Sequence, residues 1–383
     1  MPSQGTRQKR PSTVGESPAS LQSAGNQEDE SGETDHAGSD GGLWQQARTE
    51  LADNQIGRRL ISTDSEDKGS ASLRYYGRFV VFGGVIVGFA VPAVSEALKP
   101  FLSALLIATL VFGLLQVDFA RLDQFRKQIW PITGLLFAVL LLLPVFVALE
   151  AKVVLEPYGL PQGIADGLIL AALSPPLLAA PAIAFLLGLD SLLAFVVAMI
   201  AHLLAPLTVT FLAQWLVGPH LHIDTAELMS RLALIIGTGF AIGLTLRRIP
   251  LTARASVTHR GMVDVLSIAT LTLLAAALMD GVAEIAIRDP QYVLIAVACG
   301  FLLNPLLQLL GALLFVKSGF EMSLTVGLLA GYRNVGLLIA ALAGGAEQEV
   351  IAFLAIVQIP AFVIPMLSGP VLKKVKSIGF DTP

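Results

Sequence analysis

The sequence predicts an all-α membrane protein: ten transmembrane helices forming two inverted five-helix repeats, with the fourth and ninth helices broken at mid-span. Three observations lead there. The 383 residues are 54% hydrophobic and only 14% charged, against a charged share of roughly 25% in soluble domains, and mean hydropathy is +0.72. From Gly77 onward, apolar runs alternate with short polar loops, and the runs are about 20 residues long, enough to cross the hydrocarbon core. Two of the runs, at the same ordinal position in each half, carry helix-breaking residues near their middles.

Residues 1–70 stand apart. They hold 7 Lys+Arg against 12 Asp+Glu, while the remainder holds 18 against 17. The acidity of the chain therefore belongs to this segment and implies no nucleic-acid partner. Rich in Ser, Gly, Gln, Asp and Glu, it cannot bury enough apolar area to offset its ordering entropy, so it is expected to be a disordered tail preceding a membrane domain over 71–376. Within it, Leu43, Ala47, Leu51 and Leu60 with Arg48, Arg58 and Arg59 suit either an interfacial helix or plain linker. No apolar stretch follows Lys9-Arg10, so a signal peptide is not expected. Cys299 is the single cysteine, which excludes an intrachain disulfide.

The ten predicted spans are 77–95, 99–117, 129–149, 162–187, 190–217, 229–247, 260–280, 291–316, 321–344 and 348–371. Tyr75, Tyr76, Trp130, Trp215 and Tyr292 fall near their ends, where interfacial aromatics belong. Lipid offers no partners to the backbone, so helices are the default for such segments. One set of loops carries 13 basic residues: Arg74, Arg78, Arg121, Arg126, Lys127, Arg247, Arg248, Arg254, Arg260, Lys317, Lys373, Lys374 and Lys376. The opposite set carries four: Lys99, Lys152, Arg231 and Arg288. The positive-inside rule puts the first set in the cytoplasm, which gives an inner-membrane protein with both termini inside.

The repeats are expected over 77–217 and 229–371. Gly88-Phe89-Ala90 in span one recurs as Gly239-Phe240-Ala241 in span six, and Ile107-Ala108-Thr109-Leu110 in span two as Ile268-Ala269-Thr270-Leu271 in span seven. Five is an odd number, so the second copy enters the membrane upside down, a plan of secondary transporters. Such proteins place their sites where corresponding helices unwind. Span four is interrupted by Ser174-Pro175-Pro176 and span nine by Gly331-Tyr332-Arg333-Asn334-Val335-Gly336. Adjacent prolines remove two amide donors and clash with the preceding turn.

These residues carry a resemblance. Ser174-Pro175-Pro176 through Gly188-Leu189-Asp190, then Leu203-Leu204-Ala205-Pro206, resembles spans four and five of the bile acid:sodium symporter family. Gly331 through Leu338 is similar to its ninth-span crossing motif, and Pro92 through Lys99-Pro100 to Asp118 to its first two spans. The resemblance covers about residues 77–375. It implies a panel of spans one, two, six and seven, and a core that holds the crossing of spans four and nine, as in sodium/proton antiporter-like folds. Where sodium-coupled relatives offer side-chain oxygens, this chain has Ala180 and Pro181 in span four and Leu329 and Arg333 in span nine, and His202 stands near a fifth-span Thr; Asn334 is retained. Most oxygen ligands for sodium are therefore missing.

Arg333 admits two compatible roles. It neutralises the carbonyl ends of the broken helices, each with about half a negative charge, or it holds an anion through its planar fork. His202 is either a satisfied hydrogen-bond partner or a proton carrier, since imidazole titrates near neutral pH. Asn304 and Gln308, four apart on one helix face, with Gln358 and Asn334, either line a polar cavity or join helices. Asp264, Asp280 and Glu321 stand near span ends and are expected to be solvated. His220-Leu221-His222 with Asp224 is a weak local metal cluster, and neither a metal nor a cofactor is expected. No GxxxxGK[ST], HExxH or GxSxG is present, which leaves ATP-driven transport and hydrolysis without a motif. The expected function is secondary active transport of a small organic anion, sodium-independent, with the proton as candidate coupling ion. The alternative is a membrane sensor or scaffold that works through its acidic tail.

Overall fold

The computed structural model describes residues 76–116 except 78, 129–218, 224–249, and 260–364 except 343 and 362. The expected tail, the His220–His222 cluster and residues 365–371 lie outside these. Among the described residues the chain is all-helical, and six helices are long and apolar enough to cross a membrane. In chain order the helices are α1 (Phe79–Ala90), α2 (Pro92–Leu115), α3 (Trp130–Tyr158), α4 (Gln162–Leu173), α5 (Ala180–Leu187) and α6 (Ser191–Leu216). There follow α7 (Thr225–Arg248), α8 (Arg260–Ala277), α9 (Val282–Arg288), α10 (Pro290–Leu314), α11 (Phe320–Gly331), α12 (Val335–Ala341) and α13 (Gln348–Ala361).

Local chemistry sets the starts of these helices. Pro92 stands at the first turn of α2, where its missing N–H costs nothing. It also drives the residue before it out of helical geometry: Val91 has φ −126° and ψ 81°. The first predicted span therefore ends at Ala90 instead of 95, and the second begins at Pro92 instead of 99. Asp190 caps α6 by accepting from Leu192 and Leu193 N–H, Asp224 caps α7 through Ala226 N–H, and Asp289 caps α10 through Tyr292 N–H. Each carboxylate satisfies amides that a helix start leaves orphaned.

Helices α1, α2, α7 and α8 pack together, α2 lying against both α7 and α8. Backbones approach closely there. A Cβ at Gly84 would stand 2.5 Å from the Thr272 carbonyl oxygen of α8, and one at Gly239 of α7 would stand 2.8 Å from Leu110 of α2. Small residues permit such approaches between membrane helices. Asp264 of α8 is buried at 2% exposure and makes an interaction of its own. The expected solvated boundary residue is thus enclosed, because it shares with Val263 the buried face of α8, while Met262 and Val265 are exposed. Asp280 keeps a polar setting through an ion pair with Lys99 at 2.7 Å, and Glu321 is exposed.

The remaining helices form a second group, in which α10 lies along α11, α4 against α13 and α3, and α6 against α5. Two segments of α3, Ala138–Leu142 and Glu150–Leu155, are π-helical. The first of them leads to the site.

Candidate functional site

Two chains of broken helix meet at the centre of this second group. Helix α4 ends at Leu173 and α5 begins at Ala180; α11 ends at Gly331 and α12 begins at Val335. Between them the backbone is extended: Ser174 has φ −58° and ψ 142°, and Tyr332 has φ −86° and ψ 100°. The two extended segments pair as an antiparallel bridge, Pro176 opposite Arg333. Leu177 N–H donates to the Tyr332 carbonyl at 2.8 Å, and Asn334 N–H donates to the Pro175 carbonyl at 2.7 Å. Ser174, Pro175, Pro176 and Gly331 stand at the break. Gly336 does not. It lies within α12, where a Cβ would sit 3.1 Å from Leu278, so its smallness serves packing instead of unwinding.

A helix end leaves carbonyls without amide partners, and where they are buried they must be satisfied by protein. Side chains do that here. Arg333, 5% exposed, donates from Nε to the Ala330 carbonyl at 2.7 Å. Its Nη1 donates to the Ser174 and Val139 carbonyls, both at 3.1 Å, and its Nη2 donates to Val139 at 3.1 Å. Asn304 Nδ2 donates to the Gly331 carbonyl at 3.0 Å. That contact needs α10 and α11 in close approach, and a Cβ at Gly331 would stand 2.8 Å from the Asn304 carbonyl oxygen. Gln308 Nε2 donates in turn to Asn304 Oδ1 and so fixes that amide.

Val139 was not legible as a site residue, yet its carbonyl takes two of the guanidinium N–H groups. The cause lies in α3. Leu143 N–H, which an α-helix would direct to Val139, bonds to Ala138 instead. The next residue, Pro144, has no N–H to offer. Between the π-register and the proline, the Val139 oxygen has no helical donor, and Arg333 supplies one. The only sequence signal was a proline inside an apolar run.

His202, fully buried, sits against the crossing from α6. Its Nδ1 faces the Ala198 carbonyl at 2.7 Å, an oxygen that only accepts, so Nδ1 carries the proton. Its Nε2 accepts from Asn334 Nδ2 at 2.9 Å. The ring is thus a neutral imidazole satisfied on both nitrogens. Of the positions where the resemblance implies side-chain oxygens, Ala180 and Leu329 are apolar and enclosed, both at 0% exposure, Pro181 is partly exposed, and Arg333 holds the guanidinium.

A small, mostly apolar cavity lies beside the crossing. It holds about 20 Å³ and is bordered by Asn304, Gly331, Arg333 and Gln358 among apolar residues such as Ala171, Leu307 and Val357. Gln308 and Asn334 do not border it, because their amides turn to Asn304 and His202. Among the described residues no group of three or more His, Cys, Asp or Glu could hold a metal ion.

Comparison with curated proteins finds no match. Comparison with protein families finds one, the sodium bile acid symporter family, over residues 103–287. The matched stretch contains the α4–α5 break and His202 and ends before Arg333 and Asn334. Members of this family are membrane transporters of small molecules, in keeping with the apolar helices of this chain. On that match, residues 103–287, a little under half of the chain, are similar to the sodium bile acid symporter family.

Proposed function

We propose that this protein is a sodium-independent secondary transporter of a small organic anion, with ten spans in two inverted repeats over 77–217 and 229–371. The group α1, α2, α7 and α8 acts as the panel, and the group around the crossing as the moving core. Supporting the repeat, the glycines of the recurring Gly-Phe-Ala runs sit at reciprocal interfaces: Gly88 of α1 packs on α8, and Gly239 of α7 packs on α2. Residues 71–376 form the transport domain, residues 1–70 are an acidic cytoplasmic tail, and the basic loops face the cytoplasm of an inner membrane.

The observation that carries the reading is the guanidinium of Arg333 among the carbonyls of Ala330, Ser174 and Val139. A permanent cation stands where carbonyl ends would otherwise attract a metal ion. Sodium binds through hard oxygen ligands, and the carbonyls that could serve are already engaged. The same positive charge, with Asn334 beside it, favours an anionic substrate entering from the panel side. Proton coupling runs through His202 in this reading. Protonation at Nε2 would set two donors face to face across the 2.9 Å to Asn334. The Asn334 amide must then turn its oxygen to the ring, and that turn is the step assigned to proton uptake.

The test is a sodium titration at fixed ionic strength, with choline as the replacing cation. It follows thermal unfolding of the purified protein and uptake of a panel of small carboxylates into proteoliposomes. Uptake of at least one carboxylate, with neither readout depending on sodium, is expected. A saturable sodium dependence would overturn the reading.

A further inference from the structure

The geometry points to a binding site for one compact monovalent anion, of halide size, in the cavity between α4, α10, α11–α12 and α13. This goes beyond the transport reading, since it concerns an ion resident in the core and not the substrate. Three observations converge on it.

Gln358 of α13 is 6% exposed, borders the cavity, and its Nε2 has no hydrogen-bond partner among the described residues. A buried donor left unpaired is costly, and what it lacks is an acceptor. Next to it, Arg333 spends four of its five N–H groups on carbonyls, and among the described residues no acceptor takes the fifth, on Nη2. Third, carbonyl dipoles orient toward the guanidinium but carry no net charge. No ion pair with a carboxylate joins Arg333 among the described residues. The buried Asp166 of α4 is engaged by Gln162 Nε2 at 3.1 Å. The crossing therefore keeps a formal charge of +1 in a medium where uncompensated charge is expensive.

The shape and chemistry of the cavity select the occupant. With about 20 Å³ open to the centre of a water-sized body, it has room for a compact occupant. Among its polar border residues, Gln358 Nε2 is an unpaired donor, Arg333 is a cation, and the Oδ1 of Asn304 is already taken by Gln308. The rest is aliphatic. The guanidinium in such a lining repels cations. A monatomic anion accepts from every donor and supplies the missing negative charge.

The test uses the full-length protein purified in detergent, with potassium chloride titrated against potassium gluconate at fixed ionic strength and pH. Thermal unfolding is followed by intrinsic fluorescence. A ligand bound only by the folded state raises the midpoint, and a saturating rise of about 2–4 °C is expected, on the scale of a modest site in a chain of this size. Bromide should reproduce it. In Gln358→Leu the unpaired donor is replaced by a side chain matching the aliphatic lining. That variant should be at least as stable as wild type in gluconate and should lose the chloride-dependent rise. Equal midpoints in chloride and gluconate would overturn the proposal and assign the cavity to water. A rise that persists undiminished in Gln358→Leu would overturn it by placing the effect at the surface. Because no transport and no sodium enter these measurements, the site and the transport reading fail separately.

Discussion

A single guanidinium does work at this crossing that would otherwise need several partners. Removing it in Arg333→Ala strands the Val139 and Ser174 carbonyls, which have no helical donor. At about 1–3 kcal/mol for each buried acceptor left unpaired, we expect a loss of roughly 2–6 kcal/mol, read as a lowered unfolding midpoint. Arg333→Lys keeps the charge but cannot fork, so its midpoint should fall between wild type and Arg333→Ala. An Arg333→Ala protein as stable as wild type would show that the carbonyls find other donors. At His202 the expectation concerns coupling. His202→Gln can hydrogen-bond but cannot take up a proton, so an imposed pH gradient should drive anion accumulation in wild type and not in the variant. Equal accumulation in both would remove His202 from coupling. Arg333 was conspicuous in the sequence because it is a charge deep in an apolar run. Its partners were not, because backbone carbonyls are common to all residues and only the register of the helix decides which is free.

At the scale of the element, breaks are legible where they have a chemical cause. Pro175 and Pro176 lack N–H groups, and both helices leave their register beside them and beyond Gly331. The extent of a break is harder to read, since Gly336 looks like part of one and instead admits Leu278. The π-segment of α3 was invisible in advance, because no residue type specifies it. Gly83 and Gly84 show the same limit, being identical in sequence and different in setting. A Cβ at Gly83 meets nothing within 4 Å, whereas at Gly84 it stands 2.5 Å from a backbone oxygen of α8. Gly83→Ala should therefore be neutral or slightly stabilising, by up to about 1 kcal/mol. Gly84→Ala should cost about 1–3 kcal/mol by forcing α1 and α8 apart. Equal effects in paired denaturation measurements would mean that the helices adjust freely.

For the molecule as a whole, hydropathy conveyed the class and the loops conveyed an orientation. The burial of Asp264 shows what neither conveys, namely which side of a helix faces its neighbours. The orientation has a direct check. In a Cys299→Ser background, a cysteine at position 254 should resist a membrane-impermeant maleimide in intact cells and react after permeabilisation. Labelling from outside would invert the topology. A chain starting at Ser65 should insert and remain monodisperse in detergent, because the residues removed lack a core-forming pattern. Aggregation of that chain alone would give the acidic segment a structural role. The paired strands at the crossing have a consequence of another kind. Extended segments inside broken helices ordinarily surrender their amide protons to deuterium quickly, yet Leu177 and Asn334 each donate to the opposite segment. If the two halves of the crossing travel as one piece, those amides should stay protonated through repeated turnover while the loops around them exchange. If the halves part in every cycle, both should take up the isotope at a rate set by transport itself.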